Sequence, residues 1–288
     1  MPQPIPPLLA PYLKLPSGGS LTLVTSVLNA RSNWLVLRFL CNALNPFQNR
    51  NNRTRLNENG GNGEKAVAVV LMSFMRDFEF WKREGRRLGL DLVRLGQDKK
   101  FTFIDGLTLF MPTSYSKVGG PRTSEKLPIN SPKELCKKIL DAMNELKVAG
   151  QQDVLLVLDQ LDLFHAAAGD NANLPSMQNM ILSLQQHLDG ILLVLSADAP
   201  LIQTSSISTP LEVDHAGFVV SMAHQARSIL QIRTLDTGVA KDVNGVLKLH
   251  QIYESEIGSN IQGEEGEEGE VLYSLQADGN VKVFERGY

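Results

Sequence analysis

Cysteine is nearly absent: Cys41 and Cys136 are the two in 288 residues. Two thiols make neither a disulfide framework nor a four-ligand zinc site. Both fall in stretches that read as helices, where a buried thiol is the plain expectation. The five histidines, His165, His187, His215, His224 and His250, show no H-x-x-x-H or H-E-x-x-H spacing. Each reads as a surface or interface residue. Excess positive charge is lacking too. With a net charge of −3 the chain as a whole is no basic nucleic-acid binder, and any such contact is local or supplied by partners. No apolar run approaches the roughly 18 residues that span a bilayer. The opening Met1-Pro2-Gln3-Pro4-Ile5-Pro6-Pro7 has no basic region and is broken by prolines, so no signal peptide is expected. Cytosol or nucleus is the default. What is present, 43% hydrophobic and 20% charged residues, suits a globular protein large enough to bury a core without staples.

A further absence carries more information. Val154-Leu155-Leu156-Val157-Leu158-Asp159 reads as a buried strand ending on a carboxylate, the form of the metal-binding strand in phosphate-loop nucleotidases. Such enzymes also need G-x-x-x-x-G-K-[ST] after an earlier strand, where backbone amides cradle phosphates and a lysine reaches them. The earlier strand is here, Leu21 to Ser26, but Val27-Leu28-Asn29-Ala30-Arg31-Ser32-Asn33-Trp34 follows it. A nucleotidase fold without its phosphate grip points to a subunit that assembles rather than one that catalyses.

The middle of the chain alternates strand and helix. An almost wholly apolar helix is expected from about Leu28 to Leu44, with Trp34, Leu37, Cys41 and Leu44 on one side; a helix apolar on most faces is buried. An Asn-rich loop (45–63) carries Arg50, Arg53 and Arg55. Ala66 to Leu71 is a second buried strand. Asp77 is placed to cap a helix bearing Phe78, Trp81, Gly85 and Leu88. Phe101 to Asp105 is a third strand, and Pro112 to Ser131 a long loop. Ser131-Pro132-Lys133-Glu134 is a capping box with proline at the first helical position. The helix it starts carries Leu135, Ile139, Met143 and Leu146 on one face. Asp153 to Leu158 is the fourth strand, Ser176 to Leu188 a helix, and Ile191 to Leu195 the fifth strand. Continuous apolar strands separated by helices mean a parallel sheet covered on both faces.

The last third changes character. Phe218-Val219-Val220 and Ser228 to Ile232 look like strands. Val246 to Ile252 alternates, with an Asn244-Gly245 turn before it. A final hairpin pairs Val271 to Leu275 with Val281 to Phe284 across Asp278-Gly279, preceded by an acidic loop (258–270). The expectation is one continuous domain over residues 1–288 with a Pro-rich N-terminal segment (1–16). Its class is three-layer α/β/α, the mostly parallel sheet extended by C-terminal antiparallel hairpins.

Leu235-Asp236-Thr237-Gly238-Val239-Ala240-Lys241-Asp242-Val243-Asn244-Gly245-Val246-Leu247 resembles a family pattern. It is similar to Leu-x-Thr-Gly-x-x-Lys/Arg-Asp-Val-x-Gly-x-Leu of the sixth subunit of the Elongator complex. The closing hairpin resembles that family's C-terminal strands. The resemblance implies a RecA-like fold without a phosphate loop. It implies a heterohexameric ring with the fourth and fifth subunits, two copies of each, docked on the larger Elongator subunits and contacting transfer RNA. The complex begins carboxymethyl-type modification of the wobble uridine.

Each candidate residue has a sharp reading and a plain one. Asp159 could hold magnesium, but without a phosphate loop it has no nucleotide to serve, and a polar strand end is preferred. Gln160 stands where a catalytic glutamate often sits in related ATPases, and an amide cannot take a proton from water. Asp162 is expected on the turn beyond the strand. Asp198 is a polar sensor or a helix cap. Thr237, Gly238, Lys241 and Asp242 form either a subunit interface or simple turn chemistry, and both readings stay open. Arg50, Arg53 and Arg55 suit phosphates, though a solvated loop is the usual fate of such a stretch. Lys82, Arg83, Arg86 and Arg87 make a second basic cluster, read as a solvated helix face. No catalytic residue, cofactor or metal is assigned. The favoured function is a non-catalytic ring subunit of Elongator. The alternatives are a RecA-like ATPase with an unusual phosphate site and a DNA-repair paralogue acting as a scaffold.

Overall fold

The computed structural model describes residues 5–44, 67–110, 131–203, 208–235, 238, 240, 242–251 and 268–286. The strands are β1 (Ser20–Ser26), β2 (Val67–Ser73), β3 (Phe101–Asp105), β4 (Asp153–Asp159), β5 (Gly190–Ser196), β6 (Ser228–Arg233), β7 (Gly245–Gln251), β8 (Glu268–Leu275) and β9 (Val281–Glu285). They form one nine-stranded sheet in the order β3-β2-β4-β5-β1-β6-β7-β8-β9. The six strands from β3 to β6 are parallel, and β7, β8 and β9 extend the sheet antiparallel. The expected α/β class, parallel centre and closing hairpin are all present.

Helices cover both faces. One face carries α1 (Asn33–Leu44), α2 (Phe78–Arg87) and α3 (Leu92–Gln97), packed on Val24, Val69, Leu155 and Val194. The other carries α4 (Pro132–Val148), α5 (Leu161–Ala168), α6 (Leu174–Gln185) and α8 (Pro210–Gln225), packed on Leu23, Val70, Leu156 and Leu193. A single turn, α7 (Ala199–Ile202), precedes α8. Alternate residues of each central strand thus feed opposite cores, which is why these strands are apolar throughout.

Helix starts follow their caps. Asp77 accepts from Phe80 N at 2.9 Å and Ser131 from Glu134 N at 3.3 Å. α1 begins at Asn33 rather than Leu28. Val27 to Ala30 instead forms a turn closed by Ala30 N to the Val27 carbonyl at 2.9 Å, with Asn29 at φ 72°. Two polar residues of this apolar helix, one turn apart, hold distant segments. Arg38 Nη2 donates to the Gly279 carbonyl at 3.2 Å in the β8–β9 turn. Asn42 Nδ2 donates to the Leu13 carbonyl at 2.7 Å, fixing a 3-10 helix (Pro7–Leu13) inside the Pro-rich segment.

Three expectations are corrected. Phe218-Val219-Val220 is not a strand but lies inside α8. Thr209 and Glu212 form a reciprocal capping box that starts a sixteen-residue helix, and a three-residue apolar run cannot oppose that signal. Asn244-Gly245 is not the hairpin turn: Gly245 is the first residue of β7, paired with Tyr273. Asn244 N donates to the Tyr273 carbonyl at 2.8 Å and its Oδ1 accepts from Leu275 N at 2.6 Å. The acidic loop ends before residue 268, because Glu268, Gly269 and Glu270 pair with β7. There Glu268 meets Lys248 at 3.4 Å and His250 at 2.9 Å, and Glu270 meets Arg233 at 3.4 Å. Cross-strand charge pairs let acidic residues enter the ladder. The Asn-rich loop and most of the Pro112–Ser131 loop lie outside the described residues.

Candidate functional site

Parallel strands bring their carboxyl ends to one edge of the sheet, and ligands of open α/β sheets bind where neighbouring connections leave for opposite faces. Here that point falls between β1, whose connection leads to α1, and β5, whose connection leads to α8. Ser26 and Ser196 end these strands side by side, and Ser73 and Asp159 end β2 and β4 side by side.

The crevice between β1 and β5 is stitched together by the chain itself. Ala197 N donates to the Ser26 carbonyl at 2.8 Å. Leu28 N donates to Asp198 Oδ1 at 2.7 Å. Asp198 sits at the N-cap position of α7 but its side chain caps nothing there. Its carboxylate crosses to the β1–α1 connection instead, engaging a backbone amide in the segment that follows β1. A phosphate loop would offer such amides to phosphate oxygens.

Asp159 is fully buried. Ser73 Oγ donates to its Oδ2 at 2.7 Å and accepts from Arg76 N at 3.0 Å. Burial pushes the Asp159 carboxyl up to about 6. The Ser73 bond opposes the rise, the neighbouring Asp162 adds to it, and Arg76 opposes it. Asp162 is not on a free turn: it lies in the first turn of α5, buried, with Ser196 N donating to its Oδ2 at 3.4 Å. Gln160 holds a left-handed backbone at φ 59°, and its Oε1 accepts from Ser196 Oγ at 2.9 Å. The Ser196 carbonyl lies 3.0 Å from His215 Nε2, which fixes Nε2 as the protonated nitrogen. The side chains that would hold metal and activate water in a nucleotidase are thus engaged by serines, Asp159 by Ser73 and both Gln160 and Asp162 by Ser196, while Asp159 Oδ1 and Asp162 Oδ1 are buried without a hydrogen-bond partner. Among the described residues no group of three or more His, Cys, Asp or Glu could hold a metal.

Beside this corner, on the α1 face, lies a cleft of about 580 Å³ between α1, α2 and the β8–β9 turn. Arg31, Arg76, Arg83 and Arg87 line it. Arg83 and Arg87 were expected on a solvated helix face; they are exposed, but the fold turns them toward two further arginines. Arg31 and Arg76 were missed as site residues. Each lies shortly after a different strand, and only the adjacency of α1 and α2 brings them together.

The remaining candidates divide. The connection holding Thr237, Gly238, Lys241 and Asp242 leaves the same carboxyl edge, since β6 runs parallel to β1. Gly238 has φ 90°, as a left-handed turn residue should, and its N donates to the Leu235 carbonyl at 3.1 Å. Asp242 is exposed. Thr237 and Lys241 lie outside the described residues, as do Arg50, Arg53 and Arg55.

Comparison with known proteins adds three findings. The family described as Elongation complex protein 6 matches residues 64–266. An Elongator complex protein 6 homolog of Schizosaccharomyces pombe is 26% identical over 222 residues, covering 76% of this chain and 80% of that protein. A KaiC-like protein from the hyperthermophilic archaeon Pyrococcus horikoshii superposes with a TM-score of 0.53 at 10% identity, covering 99% of this chain and 98% of that one. That last likeness establishes the RecA-like fold alone.

Proposed function

The chain belongs to the Elongation complex protein 6 family, and on that premise we propose that it is a non-catalytic subunit of Elongator. It joins the fourth and fifth subunits in a heterohexameric ring. The ring docks on the larger subunits and supports transfer RNA binding for wobble uridine modification, in the cytoplasm and also the nucleus. The observation that carries the non-catalytic reading is the hydrogen bond from Leu28 N to Asp198. A backbone amide that a nucleotidase would aim at phosphate is engaged by the chain's own carboxylate. Stabilising phosphate charge is most of the catalysis in phosphoryl transfer, and neither lysine nor glycine-rich loop follows β1. The same observation counts against an independent ATPase.

Several features support assembly with neighbours. Leu28 is 76% exposed at the carboxyl edge. Val213 and Val220, two turns apart on α8, and Leu182 on α6 are also exposed. Exposed apolar side chains gathered on packed helices suit a protein interface. Gly238 and Asp242 lie in the connection that leaves the carboxyl edge after β6, and with Thr237 and Lys241 they are the proposed subunit contact. The double substitution Lys241→Glu with Asp242→Lys is expected to weaken ring assembly more than folding of the subunit. Unchanged assembly at low micromolar concentration would remove the interface role.

The deciding experiment is native mass spectrometry after co-expression with the fourth and fifth Elongator subunits of the same organism. A stable hexamer containing all three supports the ring. A chain that stays apart from both refutes it and brings a RecA-like scaffold in DNA repair forward.

A further inference from the structure

From the cleft between α1, α2 and the β8–β9 turn, we propose that this chain binds a short acidic segment of another polypeptide, anchored by one large apolar side chain. The proposal stands on the cleft alone and does not require the ring.

Charge comes first. The chain is net negative, yet four arginines converge on this one depression. Glu84 is the acid among its lining residues, and both Arg83 and Arg87 lean on it, at 3.1 and 3.0 Å. One carboxylate serving two guanidinium groups leaves Arg31 and Arg76, for which no ion pair is found among the described residues. Arg76 Nε is buried without a hydrogen-bond partner. That atom is closed off by the protein, but the half-buried Arg76 and the exposed Arg31 would gain from an incoming carboxylate the counter-charge that Glu84 does not supply. Guanidinium forks match carboxylates with two parallel bonds.

Shape and polarity decide the class of ligand. Roughly half the cleft wall is apolar, supplied by Leu37, Leu88 and Leu275 with the edge of Trp34. A bound side chain of aliphatic or aromatic type would cover these carbons while flanking carboxylates meet the arginines. Nucleic acid fits less well. Single strands are held by cations strung along an open groove and by aromatic faces free for stacking. Trp34 is 8% exposed. The Phe80 ring already carries the Arg76 guanidinium at 5.0 Å and that of Arg83 at 5.8 Å. Of the two rings in the described lining, Trp34 is buried and Phe80 is engaged by arginines.

The wall opposite α2 is held in place from below. Arg38, buried in α1, donates to the Gly279 carbonyl, so the β8–β9 turn that closes the cleft is fixed to the same helix that carries Trp34 in its first turn and begins two residues after Arg31 of the preceding connection. The cleft is therefore preformed, which lowers the ordering cost of binding.

The test is a random heptapeptide display library panned on the immobilised full chain, followed by fluorescence anisotropy with the most enriched peptide. Arg31→Glu is the cleft variant, because Arg31 is exposed and its change leaves the core intact. Arg94→Glu, exposed on α3 and outside the cleft, is the control. A twelve-nucleotide oligouridylate serves as competitor. The expected result is enrichment of peptides with acidic residues flanking a large apolar one. These should bind about ten-fold or more weakly to the Arg31→Glu chain and unchanged to the Arg94→Glu chain. Enrichment without acidic bias, no enrichment, or equal affinity for the Arg31→Glu chain overturns the proposal. So does tighter binding of the oligouridylate that is lost with Arg31→Glu, which would make the cleft a nucleic-acid site.

Discussion

Asp198 and Leu28 lie 170 positions apart in the chain, and the carboxylate of one accepts the backbone N–H of the other at 2.7 Å. The bond joins the connection after β5 to the connection after β1, across the crevice where a related nucleotidase would seat its phosphates. Replacing Asp198 by alanine should cost about 1 kcal/mol in urea unfolding, as befits a charge-assisted bond near the surface. Titration calorimetry of the Asp198→Ala chain with ATP and magnesium should still show no heat of binding. Measurable nucleotide affinity would mean that Asp198 merely occupies a phosphate site that remains intact beneath it.

Asp159 provides a second prediction, in pH. Its carboxyl titrates at about 6 in the folded chain against an ordinary 3.8. Between these values the native state binds more protons than the unfolded one, so this group's contribution to stability falls as pH rises through that window. Above about 6 the buried ionised form costs on the order of 3 kcal/mol. Asp159→Asn keeps an acceptor for Ser73 and removes the charge. Urea midpoints should show the variant more stable by about 1–3 kcal/mol at pH 7.5, with the gain vanishing near pH 4. A loss of stability at pH 7.5 would show that the native carboxylate is held ionised by a bound partner.

Arg38 is 1% exposed and reaches the β8–β9 turn through Gly279 and Asn280. Arg38→Ala removes those bonds and leaves a cavity in the α1 face, so a loss of about 3 kcal/mol is expected. Hydrogen exchange should localise the effect: amides of Val281 to Glu285 should lose protection before those of β4 and β5. Uniform loss across the sheet would refute a local clamp.

Gly245 opens β7 beneath β8. A Cβ there would overlap the Arg233 carbonyl oxygen and lie 2.7 Å from the Tyr273 hydroxyl. The carbonyl is held by the β6–β7 ladder, and the buried Tyr273 ring packs on Trp34 at 4.7 Å between centroids. Gly245→Ala should therefore destabilise the chain by about 2–3 kcal/mol. An alanine tolerated within about 0.5 kcal/mol in thermal unfolding would mean that this end of β7 is free to shift.

Much of this architecture is legible in the order of residues. The runs Leu21–Ser26, Val154–Leu158 and Ile191–Leu195 announce buried parallel strands because each feeds cores on both sides of the sheet, leaving no place for a polar residue. Asp77 and Ser131 mark helix starts because their side chains satisfy amides that no helix can satisfy internally. The missing phosphate loop is equally plain, and so is the closing hairpin around Asp278-Gly279. These features depend on neighbours a few positions away.

What depends on distant partners had to await the tertiary structure. The apolar triplet Phe218-Val219-Val220 suits either period, and the capping box of Thr209 and Glu212, six to eleven residues upstream, decided for helix. Asn244-Gly245 has the letters of a turn, yet pairing with Tyr273 draws it into a strand. Asp198 reads as an ordinary helix cap until folding places Leu28 N beside it. Arg31 and Arg76 are unremarkable in sequence and become half of a charged cleft because two strands carry their helices to one corner. Local hydrogen bonding and hydrophobic period are written along the chain; which charges and amides meet across it is set by strand order, and strand order is a property of the whole sheet.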